Sequence, residues 1–162
     1  MVGKRVRRRL GDILRIDLGQ GVHSYGQVAN EPLIVFFDAV FTEAPPPEQA
    51  VKLPVLFRIC VHNDAVQKGV WAVVGNLPLA PENAVEPYFY KQDAISGALS
   101  VYHSSYADSG WEHPASEAKC EGLECAAVWD AEHVEGRLRD HFAGRPNASL
   151  ESLRIDKNAI PL

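Results

Sequence analysis

The sequence predicts an α+β fold: a bent antiparallel, SH3-like or barrel-like β-sheet with a C-terminal amphipathic helix packed on it. Three observations carry this expectation. Three short apolar runs, separated by tight-turn signals, fill the first forty or so residues. Strand-like runs then recur as far as His103. Only in the last third does a clear helical period appear, over residues 130–143. At 162 residues, the chain is read as a single domain, 1–162, long enough to bury a core.

Taken in order, Ile13, Leu14, Ile16 and Leu18 form the first strand, and Gly19-Gln20-Gly21 breaks it. Val22, Tyr25 and Val28 begin the second, where Gly26 marks a bulge or a close backbone approach. After the Asn30-Glu31-Pro32 turn, LIVFFDAVF is apolar enough to be buried on both faces. Residues 43–50, EAPPPEQA, read as a proline-rich surface loop, because three prolines remove three backbone donors. LPVLFRICVH, from Leu53 to His62, and the segment Trp71 to Val74 supply further strands. NLPLAPENAVEP reads as loop, and PYFYKQDAISGALSVYH as a hairpin turning near Asp93 to Gly97.

SEAKCEGLECAAVW holds a short helix that Gly122 weakens. In the 130–143 helix, Asp130 is the N-cap and Val134, Leu138 and Phe142 recur on one face. Glu135 and Arg139 pair across one turn, and Gly144 and Pro146 end the helix. Its apolar stripe needs a surface to cover, which the sheet supplies.

Charge is unevenly distributed. Residues 1–15 hold six basic side chains and one acid, so the rest of the chain carries −10 to give the total of −5. The basic head, residues 1–9, is read as a solvated tail or outer strand. A body this acidic repels phosphate and attracts basic partners, which argues against nucleic acid as a ligand. No apolar run reaches the about 18 residues of a membrane span, and no apolar signal core follows the basic head. The expectation is a cytoplasmic protein with no membrane partner. Three cysteines, Cys60, Cys120 and Cys125, are too few and odd in number for a disulfide framework.

No pattern selects a catalytic group. His103, His113, Cys120 and Cys125 lie close in sequence, but the two histidines are too far apart for a zinc-binding pair, so no metal is assigned. There is no G-x-S-x-G elbow, no P-loop and no G-x-G-x-x-G, and no cofactor is expected. Asn147-Ala148-Ser149 matches a glycosylation acceptor without a secretory context and carries no weight. Trp71 and Trp129 sit in apolar runs and read as core. Trp111 sits instead in SSYADSGWEHPASE, a polar, acidic, turn-rich stretch suited to a contact surface.

The order GDILRIDLGQGVHSYGQV, LIVFFD, PVLFRICVH, the K-G-x-W-x-x-x-G of Lys68 to Gly75, PYFYKQD and CEGLECAAVWDAEHVEGRL resembles the immunity protein 26 family of bacterial polymorphic toxin systems. The resemblance runs from about Leu10 to Leu153. It implies a non-enzymatic protein that binds and neutralises a cognate toxin, with a basic nuclease as one candidate, and it leaves a homodimer open. Shared motifs are better suited to scaffold than to discrimination among toxins. Gly11, Asp12, Gly21, Tyr25, Gly26, Trp71, Gly75 and Trp129 are therefore assigned to folding. Toxin contact is assigned to Tyr106, Asp108, Trp111, Glu112, Glu117 and Glu121.

Two alternatives share the expected fold. One is an SH3-like interaction domain without a toxin partner. The other is an SH3-like ribonuclease toxin, which the opening R-x-L-G-D-I-L-R-I-D-L also resembles. Such an enzyme needs a basic groove and an arginine soon after the first hairpin, yet no arginine lies between Arg15 and Arg58.

Overall fold

A computed structural model describes residues 6–103 and 111–162. Its strands are β1 (Asp12–Gly19), β2 (Val22–Val28), β3 (Leu33–Phe37), β4 (Val55–Val61), β5 (Ala72–Asn76), β6 (Phe89–Gln92), β7 (Leu99–His103), β8 (Trp111–Pro114), β9 (Glu124–Cys125) and β10 (Val128–Trp129). Its helices are α1 (Pro47–Ala50), α2 (Asp64–Gln67), α3 (Pro81–Ala84), α4 (Glu117–Cys120), α5 (Ala131–Phe142) and α6 (Ala148–Ser152). The fold is mixed α+β, with the long helix α5 following the strands. The strands divide between two sheets, and neither closes into a barrel.

The chain forms two compact units. The first holds the described residues up to Ala84 together with Val128–Asn147. Its sheet runs β10-β4-β3-β2-β1-β5. The β1–β2 hairpin closes through Gly19, Gln20 and Gly21, all at positive φ, with the Gly19 N–H donating to Asp17 Oδ1 at 2.8 Å. Arg15 pairs with Tyr25 and Leu14 with Gly26, and Gly26 pairs in turn with Phe36 of β3. All five β3 residues, LIVFF, are buried, so this strand is covered on both faces. β4 follows antiparallel to β3, and the two-residue β10 adds in parallel beside β4.

Helix α5 covers this sheet with the stripe that its sequence spacing describes. Val134 and Leu138 are fully buried. Arg139 Nε donates to the Leu18 carbonyl at 2.8 Å, and the Arg137 guanidinium lies 3.8 Å from the centre of the Phe57 ring. Trp71 Nε1 donates to Glu135 Oε1 at 3.0 Å, while the indole meets Phe36 edge-on at 5.8 Å. Glu135 also faces Arg139 at 3.6 Å, the pair expected across one turn.

Two stretches behave differently from their composition. Pro47–Ala50, within the proline-rich segment, forms the single turn α1. A proline at the first helical position loses no hydrogen bond, because that N–H has no intrahelical partner. Arg8, in the basic head, is buried and donates to the carbonyls of Val61 (2.9 Å) and Leu33 (3.2 Å) and to Asn63 Oδ1 (3.0 Å). Its guanidinium thus satisfies acceptors at the ends of β3 and β4.

The second unit holds Val85–Ala127 and Ala148–Leu162, with sheet order β8-β7-β6-β9. The β6–β7 turn is an Asx turn, in which Asp93 Oδ1 accepts from the N–H groups of Ile95 (2.9 Å) and Ser96 (2.6 Å). Tyr90, Leu99 and Cys120 centre a small core, joined by Val101, Leu123, Ile155 and Ile160. Gln92 fastens the C-terminal segment to β6: its amide donates to the Asp156 carbonyl at 2.9 Å and accepts from the Asp156 N–H at 2.8 Å.

Candidate functional site

The strand β8 has the sequence WEHP, and alternation along a strand sends Trp111 and His113 to one face and Glu112 to the other. Register against β7 sets Trp111 opposite His103 and His113 opposite Val101. On the first face the rings gather. Trp111 lies 3.9 Å from His113 between centroids and meets Tyr88 edge-on at 5.8 Å. Tyr88 in turn lies 4.7 Å from the His103 ring. Behind them, Glu86 Oε2 is 3.8 Å from His103 Nε2, with the Glu86 side chain only 7% exposed.

Trp111 and Tyr88 nevertheless stay open to solvent, at 44% and 51% exposure. Large aromatic side chains are costly to leave in water, and a contiguous group of them marks a surface suited to a partner.

The opposite face is differently occupied. Ser100 Oγ donates to Glu112 Oε1 at 2.7 Å, and Lys91 Nζ lies 3.5 Å from Glu112 Oε2. The Ser100 hydroxyl, with Lys91 in support, holds the Glu112 carboxyl below the usual carboxylate range. Lys91 also sits 4.0 Å over the Tyr102 ring.

The contact residues expected from sequence thus separate. Tyr106 and Asp108 lie outside the described residues. Trp111 joins the ring patch, whereas Glu112 points away from it. Glu117, in the first turn of α4, pairs with Lys157 Nζ at 3.0 Å, and Glu121 is exposed just beyond α4.

The residues assigned to folding fall in the first unit. Gly11 and Asp12 lie at the start of β1, Gly21 in the hairpin turn, and Gly75 opposite Ile13 on β5. Tyr25 donates its hydroxyl to the Pro45 carbonyl at 2.9 Å, and Trp71 and Trp129 are buried.

Sequence reasoning missed Tyr88, Glu86, His103 and His113 as neighbours of Trp111. The PYFY and VYH segments were visible as strands. Their convergence depends on β8 pairing with β7, and nothing in the polar segment around Trp111 announces a strand.

Charge follows the division into units. The second unit spans four basic and nine acidic residues, for a net of −5, while residues 1–84 with 128–147 hold twelve of each sign. Among the described residues, no group of three or more His, Cys, Asp or Glu converges to hold a metal ion. Nor is any helix among them long and apolar enough to cross a membrane.

A model of the family described as Immunity protein 26 matches residues 9–100. The match takes in β1 through β6 and the start of β7; the segment CEGLECAAVWDAEHVEGRL lies beyond it. No curated protein and no solved structure matches.

Proposed function

The chain belongs to the immunity protein 26 family, and from that membership we propose that it binds and neutralises a cognate bacterial toxin in the cytoplasm, with no chemistry of its own. The observation that carries the reading is the family match over residues 9–100, more than half of the 162 residues. The distribution of charge supports a second step. The second unit's net −5 is suited to a basic toxin, and a nuclease, whose active site is built for phosphate, is the class that such an acidic unit would occupy. Within this reading the β1–β5 sheet is scaffold, and toxin contact belongs to the second unit around Trp111, Glu117 and Glu121.

The test is complex formation between the full chain and the toxin domain encoded beside its gene, measured by calorimetry at two or more salt concentrations. The expected result is a stoichiometric complex whose affinity falls as salt rises. Absence of any complex overturns the immunity reading. A complex indifferent to salt overturns the electrostatic part alone.

A further inference from the structure

We infer that the β6–β7 turn, Asp93 to Ala98, is a preorganised anchor whose apex, Ile95, inserts into an apolar pocket on the basic toxin. This anchor presupposes the immunity reading and names the shape and chemistry of its interface. Three observations within the second unit carry it.

The first is exposure. Ile95 is 98% exposed, so no described residue packs on it. Asp, Asn, Gly and Ser are the usual residues of such turns, and a β-branched apolar side chain gains nothing there from its own fold. Exposure alone would assign nothing, since single apolar side chains in water are ordinary on protein surfaces. Ile95 differs in how it is held.

The second observation is therefore rigidity. Within the turn, Asp93 Oδ1 accepts from the N–H groups of Ile95 and Ser96. The Asp93 N–H donates to the Ala98 carbonyl and the Gly97 N–H to the Asp93 carbonyl, both at 2.9 Å, and the Ala98 N–H donates to Ser96 Oγ at 3.2 Å. From outside, Gln92 Nε2 donates to the Gly97 carbonyl at 3.1 Å. Gly97, at φ +72°, lies so close to the C-terminal segment that a Cβ there would run into the Ala159 carbonyl. An exposed side chain on a backbone already fixed loses little freedom when a partner takes it, and that preorganisation favours affinity.

The third is relief. The turn forms one wall of a groove of about 730 Å³, lined by Ala94, Ala98, Leu99 and Pro114 together with Lys91 and Glu112. A projecting apolar side chain beside a recess is a surface that interlocks with a complementary one.

Charge selects the toxin as the occupant over a second copy of this chain. The unit that carries the turn has a net of −5, which repels itself and attracts a basic surface. The turn leads into β7 at Leu99, and Trp111 pairs with His103 at the other end of that strand. The two are about 13 Å apart along the strand, within the span of one ordinary interface.

The experiment exploits the fact that Ile95 supports nothing in its own chain, so its variants fold. Affinity of the full chain for the adjacent toxin domain is measured for the wild type, Ile95→Ala, Ile95→Leu, Asp93→Ala and Asp93→Asn. Val70→Ala, at an exposed valine of the first unit, is the control, and sedimentation gives the oligomeric state of the free chain. Ile95→Ala is expected to weaken binding about tenfold, and Ile95→Leu and Val70→Ala to stay within about threefold of wild type. Asp93→Ala, which keeps Ile95 but loses the turn's acceptor, should weaken binding about fivefold. Asp93→Asn, whose side-chain oxygen accepts the same bonds, should bind within about twofold of wild type. Ile95→Ala binding within about threefold of wild type overturns the anchor while leaving the immunity reading intact. Equal losses in Ile95→Ala and Val70→Ala overturn it too, by showing that the apex is not singled out, as does Asp93→Ala binding like wild type. A dimer of the free chain that Ile95→Ala dissolves gives the apex to a second copy and overturns the assignment to the toxin. A wild-type chain that binds no toxin overturns the immunity reading and the anchor with it.

Discussion

At Gly11 the backbone sits at φ +87°, and a Cβ placed there would run into the Leu77 carbonyl. The same residue closes two backbone bonds, donating to Val28 at 2.8 Å and accepting from Leu77 at 3.0 Å. Its neighbour Asp12 is buried, accepting from the Arg9 N–H at 2.9 Å and from Asn76 Nδ2 at 3.0 Å. These bonds pin β1 to β2 and β5 at one end. Gly11→Ala is expected to cost about 2–3 kcal/mol in chemical denaturation, from the backbone strain and the carbonyl it displaces. The family resemblance assigned the G-D pair to folding, and no local pattern gave the reason for the glycine. It depends on Leu77, more than sixty residues away.

Tyr90 makes a residue-scale prediction in pH. Burial pushes its phenol up to about 12 from 10.0, with the nearby Cys125, Glu124 and Cys120 adding in the same direction. Its hydroxyl donates to the Leu153 carbonyl, a bond that only the protonated phenol makes. The folded value lies above the unfolded one, so this contribution to stability is fully present below pH 10 and is lost as pH rises towards 12. Burial also raises the thiols of Cys120 and Cys125 from 9.0, and they add a loss above pH 9 of the same sign. Tyr90→Phe removes only the tyrosine share. Its denaturation midpoint should therefore fall less steeply between pH 10 and 12 than that of the wild type; parallel curves would contradict the assignment.

At the scale of elements, legibility follows the range of the forces involved. The β1–β2 hairpin, the buried run of β3 and helix α5 are written in local patterns: alternation, glycine turns and a helical stripe. Each is found where its sequence places it, except that β3 stops at Phe37: the rest of the expected run, Asp38 to Phe41, leaves the strand and is not buried. Helix α5 begins after Asp130, although the Asp130 side chain makes no capping bond and lies 3.8 Å from both His62 and His133 instead. The strands β9 and β10 are a different case. They have two residues each, pair in parallel with β6 and β4, and exist only because the chain returns to those edges. The C-terminal segment is similar. Its fastening to Gln92 spans sixty-four residues, and no local signal specifies it. The candidate site belongs to this second class. Trp111 stood out by composition, but Tyr88, His103, His113 and Glu86 joined it only through sheet register and ring contacts.

At the scale of the whole chain, composition gave a net of −5 without saying where it lay. Excluding the basic head made the body look uniformly acidic. The division into units refines this: the second unit carries −5, and residues 1–84 with Val128–Asn147 are neutral because the basic head offsets −5 in the rest of them. Scaffold motifs and net charge are thereby separated, which suits a protein that keeps one fold while meeting a particular partner. An acidic surface with aromatic anchors gives speed of encounter from the charge and residence time from the rings.

Protection of a cell by binding of the toxin to this chain is measurable as growth. The toxin domain encoded beside the gene is expressed with the full chain, and with a variant in which Trp111, Glu112, Glu117 and Glu121 are alanine, folding being checked by circular dichroism. The wild type is expected to restore growth, and the folded variant to leave it arrested. Growth arrest that the wild type fails to relieve, with the toxin domain active and both proteins present, would contradict the immunity reading.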